Sequence, residues 1–136
     1  MSAAVASRAP PRFKLTHPVP MEDELHQSVA DALRYLLPQD AVWTTWEARN
    51  AASVAEGARR KRLGLLPGWA DLGIFWRSRV VLLELKRSRY GVLSKAQREL
   101  HPRLENAGFP VVICCSVEDV LATVSRAGIP LRGRVA

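Results

Sequence analysis

The sequence predicts a single α/β domain in which a mixed β-sheet is flanked by helices. Three observations carry this expectation. The chain has 136 residues, enough for one domain with a buried core. It is 48% apolar and 24% charged, the balance of a globular protein. Its periodicity runs helix, strand, helix, strand, strand, helix, strand, helix. The helix before the fourth strand is long enough for a crossover, so the third and fourth strands can be parallel neighbours.

Residues 1–20 are rich in Ala, Pro and Arg and have no sustained periodicity, which predicts a flexible basic N-terminal arm ahead of a domain over 21–136. Residues 22–37 read as a helix, because Leu25, Val29, Ala32, Leu33 and Leu36 recur at helical spacing and Pro38 ends the pattern. Glu22 and His26 fall along the same stripe, and Glu24 falls away from it. Residues 41–46 are β-branched and aromatic, a strand signal. A basic helix over 50–63 carries Arg59, Arg60, Lys61 and Arg62, with Gly64 as its stop. Pro67 and Gly68 make a turn before Asp71. Residues 72–76 and 80–86 form two antiparallel strands joined by Arg77, Ser78 and Arg79. A basic loop follows, and Ser94 is placed to cap a helix over 95–107 that Gly108 terminates. Residues 110–115 are a buried strand, and Ser116 caps a last helix over 117–127.

The formal charge is +7 and the pI about 10.2, which favours an anionic partner, nucleic acid being the commonest. A basic surface serving only solubility is the plainer alternative. Cys114 and Cys115 sit side by side in an apolar run, as buried strand residues in a reducing compartment and with neither disulfide nor zinc spacing. The N-terminal apolar patch is too short for a signal peptide and no run reaches membrane-spanning length, so the expected location is the cytoplasm, with no membrane partner.

Chemistry concentrates between Pro67 and Lys86. Period-two alternation puts Val80, Leu82, Glu84 and Lys86 on one face of their strand and Val81, Leu83 and Leu85 on the other. An acid and an ammonium ending an apolar strand are expensive to bury, which leaves a surface turn or an active site. Carboxylates at neighbouring strand ends can hold a hard divalent cation, and magnesium needs few protein oxygens. Asp71 and Glu84 supply carboxylates and Leu85 a main-chain carbonyl. Lys86, two residues on from Glu84, can orient a water on the metal, help deprotonate it, or offset charge on a phosphorane-like transition state. These parts suit phosphodiester hydrolysis.

Asp71, twelve intervening residues, then Glu84-Leu85-Lys86 resembles the PD-(D/E)XK nuclease superfamily and, more narrowly, the VRR-NUC family. The resemblance extends over residues 21–130. It takes in Glu22 with Leu25 and Val29, Asn50 before the basic helix, and Leu63-Gly64 then Pro67-Gly68 before Asp71. It continues through Gly91-Val92-Leu93-Ser94 with Gln97 three residues on, the Gly108 to Ile113 segment, and Val117-Glu118-Asp119-Val120. Two positions depart from the pattern. Ala70 stands where a Pro usually precedes the Asp, and that Pro shapes the turn without supplying a ligand. His26 stands where Gln or Glu is frequent.

The resemblance implies a restriction-endonuclease-like three-layer fold and a DNA endonuclease dependent on Mg²⁺ or Mn²⁺. It implies metal ligation by Asp71 and Glu84 and a catalytic role for Lys86. Glu22 would hold a water on the metal or a second metal, and Gln97 would position water or phosphate from the following helix. Similarity to Holliday-junction resolvases implies a homodimer acting on branched or nicked duplex, as in DNA repair.

Plainer readings stand beside these. Asp71 can be a turn residue, Glu84 and Lys86 a surface ion pair, Glu22 a solvated first-turn acid, and Gln97 a surface residue. The run Arg59, Arg60, Lys61, Arg62 is either a solvated helix face or a phosphate track continued by Arg87, Arg89, Lys95 and Arg98. His17, His26 and His101 lack metal-ligand spacing, and His17 and His101 read as surface residues. The four tryptophans read as core, with Trp69 set apart by its place beside Asp71. The rival functions are a non-catalytic or partner-dependent DNA-binding subunit and a sequence-specific restriction-type endonuclease.

Overall fold

The structure, a computed structural model, describes residues 20–46, 52–88 and 91–133, with the side chains of residues 20–22 excepted. The predicted N-terminal arm lies outside the described residues except for Pro20. The elements follow the predicted order: α1 (Pro20–Leu36), β1 (Val42–Thr45), α2 (Val54–Arg62), β2 (Leu72–Trp76), β3 (Arg79–Leu85), α3 (Lys95–Asn106), β4 (Val111–Cys114) and α4 (Val117–Arg126).

The sheet order is β1-β2-β3-β4. β1 with β2 and β2 with β3 are antiparallel, whereas β3 and β4 are parallel, with Leu82 opposite Val111 and Glu84 opposite Ile113. The α3 crossover permits that parallel pairing, as the element lengths predict. Val29 and Leu33 of α1 and Val120 and Val124 of α4 share one buried cluster with Leu72, Ile74, Val81, Leu83 and Leu85. The opposite face of β3 carries Leu82 and Glu84, and α3 covers it, with Leu100 buried. β3 is therefore covered on both faces, which explains its nearly unbroken apolar sequence.

The β2–β3 hairpin turns on Arg77 and Ser78, both with positive φ (43° and 65°), a left-handed conformation that usually selects Gly or Asn. Asp40 ties the turn down, accepting from Trp76 Nε1 at 2.8 Å and Arg77 Nε at 3.3 Å, and the Arg77 guanidinium lies 4.7 Å from the Trp76 ring centroid. The turn is one residue shorter than predicted because Arg79 already pairs with Trp76. At the other end β3 stops at Leu85, and Lys86 still donates its amide to the Cys114 carbonyl at 2.9 Å.

α2 is shorter than predicted, and Asn50 lies outside the described residues. Ser53 caps it by accepting from the Glu56 amide, and none of its residues is buried. Local bonds hold it, including Arg60 to Glu56 at 2.8 Å. Cys114 is buried in the core and Cys115 half-buried, and neither is in a disulfide. No helix among the described residues is long and apolar enough to cross a membrane.

Candidate active site

Asp71 leads into β2 and Glu84 lies near the end of β3. The Leu72–Leu83 pairing sets these two positions across from each other. Asp71 extends the ladder with its side chain: Oδ2 accepts the Leu85 amide at 2.8 Å, and its own carbonyl accepts the Trp46 amide at 3.1 Å. Asp71 is thus held on both sides, its carboxylate by β3 and its carbonyl by the residue that follows β1. The N–H and C=O of one strand residue lie on the same edge, so the Leu85 carbonyl also lies on the Asp71 side of β3.

Glu84 is 2% exposed. Its Oε1 accepts from Gln97 Nε2 at 2.6 Å and faces Lys86 Nζ at 3.3 Å. Its Oε2 is buried with no hydrogen-bond partner among the described residues. Burial first, and the Asp71 charge second, push the Glu84 carboxyl up to about 7, against the opposing pull of Lys86 and Gln97. The Lys86 side chain is only 16% exposed, so this is not the surface ion pair of the plainer reading.

Gln97 joins the site to the start of α3. Its Oε1 accepts from the Ser94 amide at 3.0 Å and from Lys86 Nζ at 3.4 Å, while Ser94 Oγ accepts the Gln97 amide at 3.2 Å. One side chain closes the helix's capping box and bridges the acid and the ammonium. The turn before Asp71 fits tightly against the same helix. Gly68 has φ +83°, and a Cβ there would stand 2.5 Å from the Ala96 carbonyl carbon. Glycine is required at this point by both backbone and space.

Two histidines enter the site that spacing did not place there. His26 Nε2 lies 3.9 Å from Asp71 Oδ2. His101 is not the surface residue its sequence position suggests. It is half-buried, and its buried Nε2 has no hydrogen-bond partner among the described residues. Burial, and behind it Lys86, hold its imidazole below the usual value. The available signal was helical spacing, since His101 lies four residues after Gln97 on the same side of α3. The Glu22 side chain and all of Arg89 lie outside the described residues, as does His17.

Among the described residues no three His, Cys, Asp or Glu side chains gather closely enough to hold a metal by themselves. Two carboxylates and a carbonyl remain, one carboxylate oxygen being buried and unpartnered. That donor set is all-oxygen and anionic, so it fits Mg²⁺ or Mn²⁺, ions that keep several waters.

No protein-family model matches the sequence, and no curated protein matches it. A solved structure described as a VRR_NUC domain protein matches with a TM-score of 0.55 and 22% identity, over 79% of this chain and 87% of that one. The chain has the fold of that VRR_NUC domain protein. The four-stranded mixed sheet with helices on both faces is accordingly restriction-endonuclease-like.

Within this VRR_NUC-like fold the departure at Ala70 is structurally mild, because the residue is buried at 1% exposure without disturbing the Asp71 contacts. Arg59, Lys61, Arg62, Arg87, Lys95 and Arg98 are exposed. Arg60 is tied to Glu56, and Lys95 lies 3.9 Å from Glu99. Trp43 and Trp76 lie against the core. Trp46 and Trp69 meet edge to face at 5.6 Å beside Asp71, and Trp46 covers Gly73.

Proposed function

We propose that this chain is a divalent-metal-dependent DNA endonuclease that hydrolyses phosphodiester bonds, selective for branched or nicked duplex and working as a homodimer. The observation that carries the reading is Glu84. A carboxyl buried beside a second acid, with one oxygen unpartnered, is costly to the fold. A cation held between Asp71 and Glu84 removes that cost.

Asp71, Glu84 and the Leu85 carbonyl would hold Mg²⁺ or Mn²⁺, with Glu22 contributing from α1. The ion supplies Lewis-acid polarisation of the scissile phosphate. Lys86 Nζ presents positive charge where negative charge grows on the phosphate oxygens. Gln97 fixes the Glu84 carboxylate and the Lys86 ammonium relative to each other, so neither reorganises as the reaction proceeds. Arg59, Lys61, Arg62, Arg87, Arg89, Lys95 and Arg98, with Arg60 behind them, would bind phosphates and place the duplex without reading its bases. Selection by DNA shape follows from this non-specific grip, and two-fold pairing would bring two sites to opposite strands.

Cleavage of matched linear, flap and four-way-junction DNAs tests the reading, with Mg²⁺, Mn²⁺ or EDTA, for wild type, Asp71→Ala and Lys86→Ala. Metal-dependent cutting of the branched forms, lost in both variants, is expected. Salt-sensitive binding without cutting under any metal would identify a binding or partner-dependent subunit. A discrete ladder on linear duplex would identify a restriction-type enzyme.

A further inference from the structure

We propose that Trp46, Trp69 and Phe75 form a stacking shelf for unpaired nucleobases of a single strand lying beside the candidate active site. The strand's relation to cleavage rests on the nuclease reading, whereas the shelf itself rests on the sheet register and the exposure of its rings.

Alternation puts Glu84 on the same side of β3 as Leu82, and Leu82 pairs with Gly73 of β2. Gly73 and Phe75 therefore lie on the Glu84 face of the sheet, while Leu72 and Ile74 join the core on the other face. A Cβ on Gly73 would collide with Trp46 Cη2 and stand 3.1 Å from Phe75 Cε2, so both rings lie over that residue. Trp69 meets Trp46 edge to face, their centroids 5.6 Å apart. The rings begin at the site itself. Trp69 lies two residues before Asp71, and the Trp46 amide donates to the Asp71 carbonyl at 3.1 Å.

A second small core would have a layer over it. α3 covers β3, but α2 buries none of its residues. Phe75 is 38% exposed, and its cross-strand neighbour Val42 is 65% exposed. Trp46 and Trp69 are half-buried. Glycine inside a strand weakens it and marks a close approach to the backbone. At Gly73 the approaching group is the Trp46 indole, seated on a part of the face that stays open to solvent.

The chemistry of that surface selects its occupant. A duplex keeps its bases stacked inside and turns phosphates outward, so aromatic rings offer it little. An unpaired base has a free π-face and stacks on an aromatic side chain whatever its sequence. Arg59, Lys61 and Arg62, all exposed, lie between Trp46 and Trp69 in the chain. The segment that leaves the sheet at one ring and returns at the other thus carries cations for the strand's phosphates. Rings flanked by cations fit a nucleic-acid strand better than a second copy of a chain with formal charge +7.

Binding in EDTA tests the shelf without cleavage. Two duplexes are compared, one bearing an arm of about ten unpaired thymidines and one bearing the same arm built of abasic residues. The abasic arm keeps every phosphate and lacks the bases. Wild type should bind the thymidine arm about tenfold or more tightly than the abasic arm, and only the thymidine arm should quench tryptophan fluorescence. Trp69→Leu and Phe75→Leu keep apolar bulk and remove the aromatic ring, so each should reduce that ratio about threefold or more. Phe75 lies outside the turn that leads to Asp71, so Phe75→Leu decides the matter if Trp69→Leu disturbs that turn. Equal wild-type affinity for the two arms would overturn the shelf, as would a full ratio in Phe75→Leu. An unchanged ratio with loss of a dimer in sedimentation would give the face to a second copy instead. A wild type that cuts no DNA with metal, yet prefers the thymidine arm, would remove the nuclease reading and keep the shelf. Metal-dependent cutting with equal arm affinities would keep the nuclease and remove the shelf.

Discussion

Gln97 Nε2 donates to Glu84 Oε1 at 2.6 Å, and the other oxygen of the same carboxylate is buried with no partner among the described residues. One oxygen of Glu84 is thus satisfied by Gln97, and the other has no partner among the described residues. Across the hairpin, Asp71 Oδ2 accepts the Leu85 amide.

Replacing Glu84 with Gln removes the buried charge and keeps the side chain's shape. Without metal at pH 8, the variant should be more stable than wild type by about 1–3 kcal/mol, read from denaturant midpoints. Its cleavage rate should fall about a hundredfold or more. A less stable, fully active variant would show that Glu84 serves the fold.

The raised Glu84 carboxyl makes stability depend on pH. Its ordinary value is 4.5 and its folded value about 7, so the folded state keeps a proton that the unfolded state has lost across that window. The contribution is fully present below pH 4.5 and is lost as pH rises through 7. One pKa unit is worth about 1.4 kcal/mol, so the total loss is about 3 kcal/mol at most. Thermal midpoints of metal-free protein should fall over this range, and excess Mn²⁺ should reverse the fall at the alkaline end. A flat profile would contradict the site's electrostatics.

Lys86→Ala should lose about a hundredfold in rate. Lys86→Arg keeps the positive charge beside Glu84 and resists deprotonation, so it should retain activity within about tenfold of wild type. A fall of Lys86→Arg to the alanine level, measured across a pH–rate profile, would assign Lys86 to proton transfer.

Arg59, Lys61 and Arg62 offer an exposed basic face. Changing all three to Ala should weaken binding to any duplex alike and reduce the slope of log K against log[salt] by about 0.9 for every phosphate no longer neutralised. An unchanged slope would return α2 to a solvated helix without a DNA role.

The order of elements was legible because each carries its own period and punctuation. Ser94 and Ser116 cap as expected, Pro38 ends α1, and the crossover length allowed the parallel pairing of β3 with β4. Asp71, Glu84 and Lys86 could be gathered from the sequence because strand alternation and a short hairpin leave few places for them to go. Gln97 came only through resemblance, since Ser94-x-x-Gln97 by itself signals no more than a capping box. His101 was misplaced because its one signal, a place one helical turn after Gln97, counts only once Gln97 is set in the site. The turn at Gly68, against which α3 packs, lies 33 residues earlier and comes close only in the folded molecule.

Local chemistry along the chain therefore decides which segments are helices and strands, where they begin, and which strand ends carry acids and an ammonium. Those properties depend on neighbours a few residues apart. Burial and pairing depend on groups distant in sequence, and only the packed molecule decides them. The fold leaves Glu84 Oε2 without a partner, sets Asp71 on the Leu85 amide, and brings His26 and His101 to the site. Desolvation and close contact arise when the layers meet, and they turn an ordinary Asp, Glu and Lys into a candidate catalytic centre.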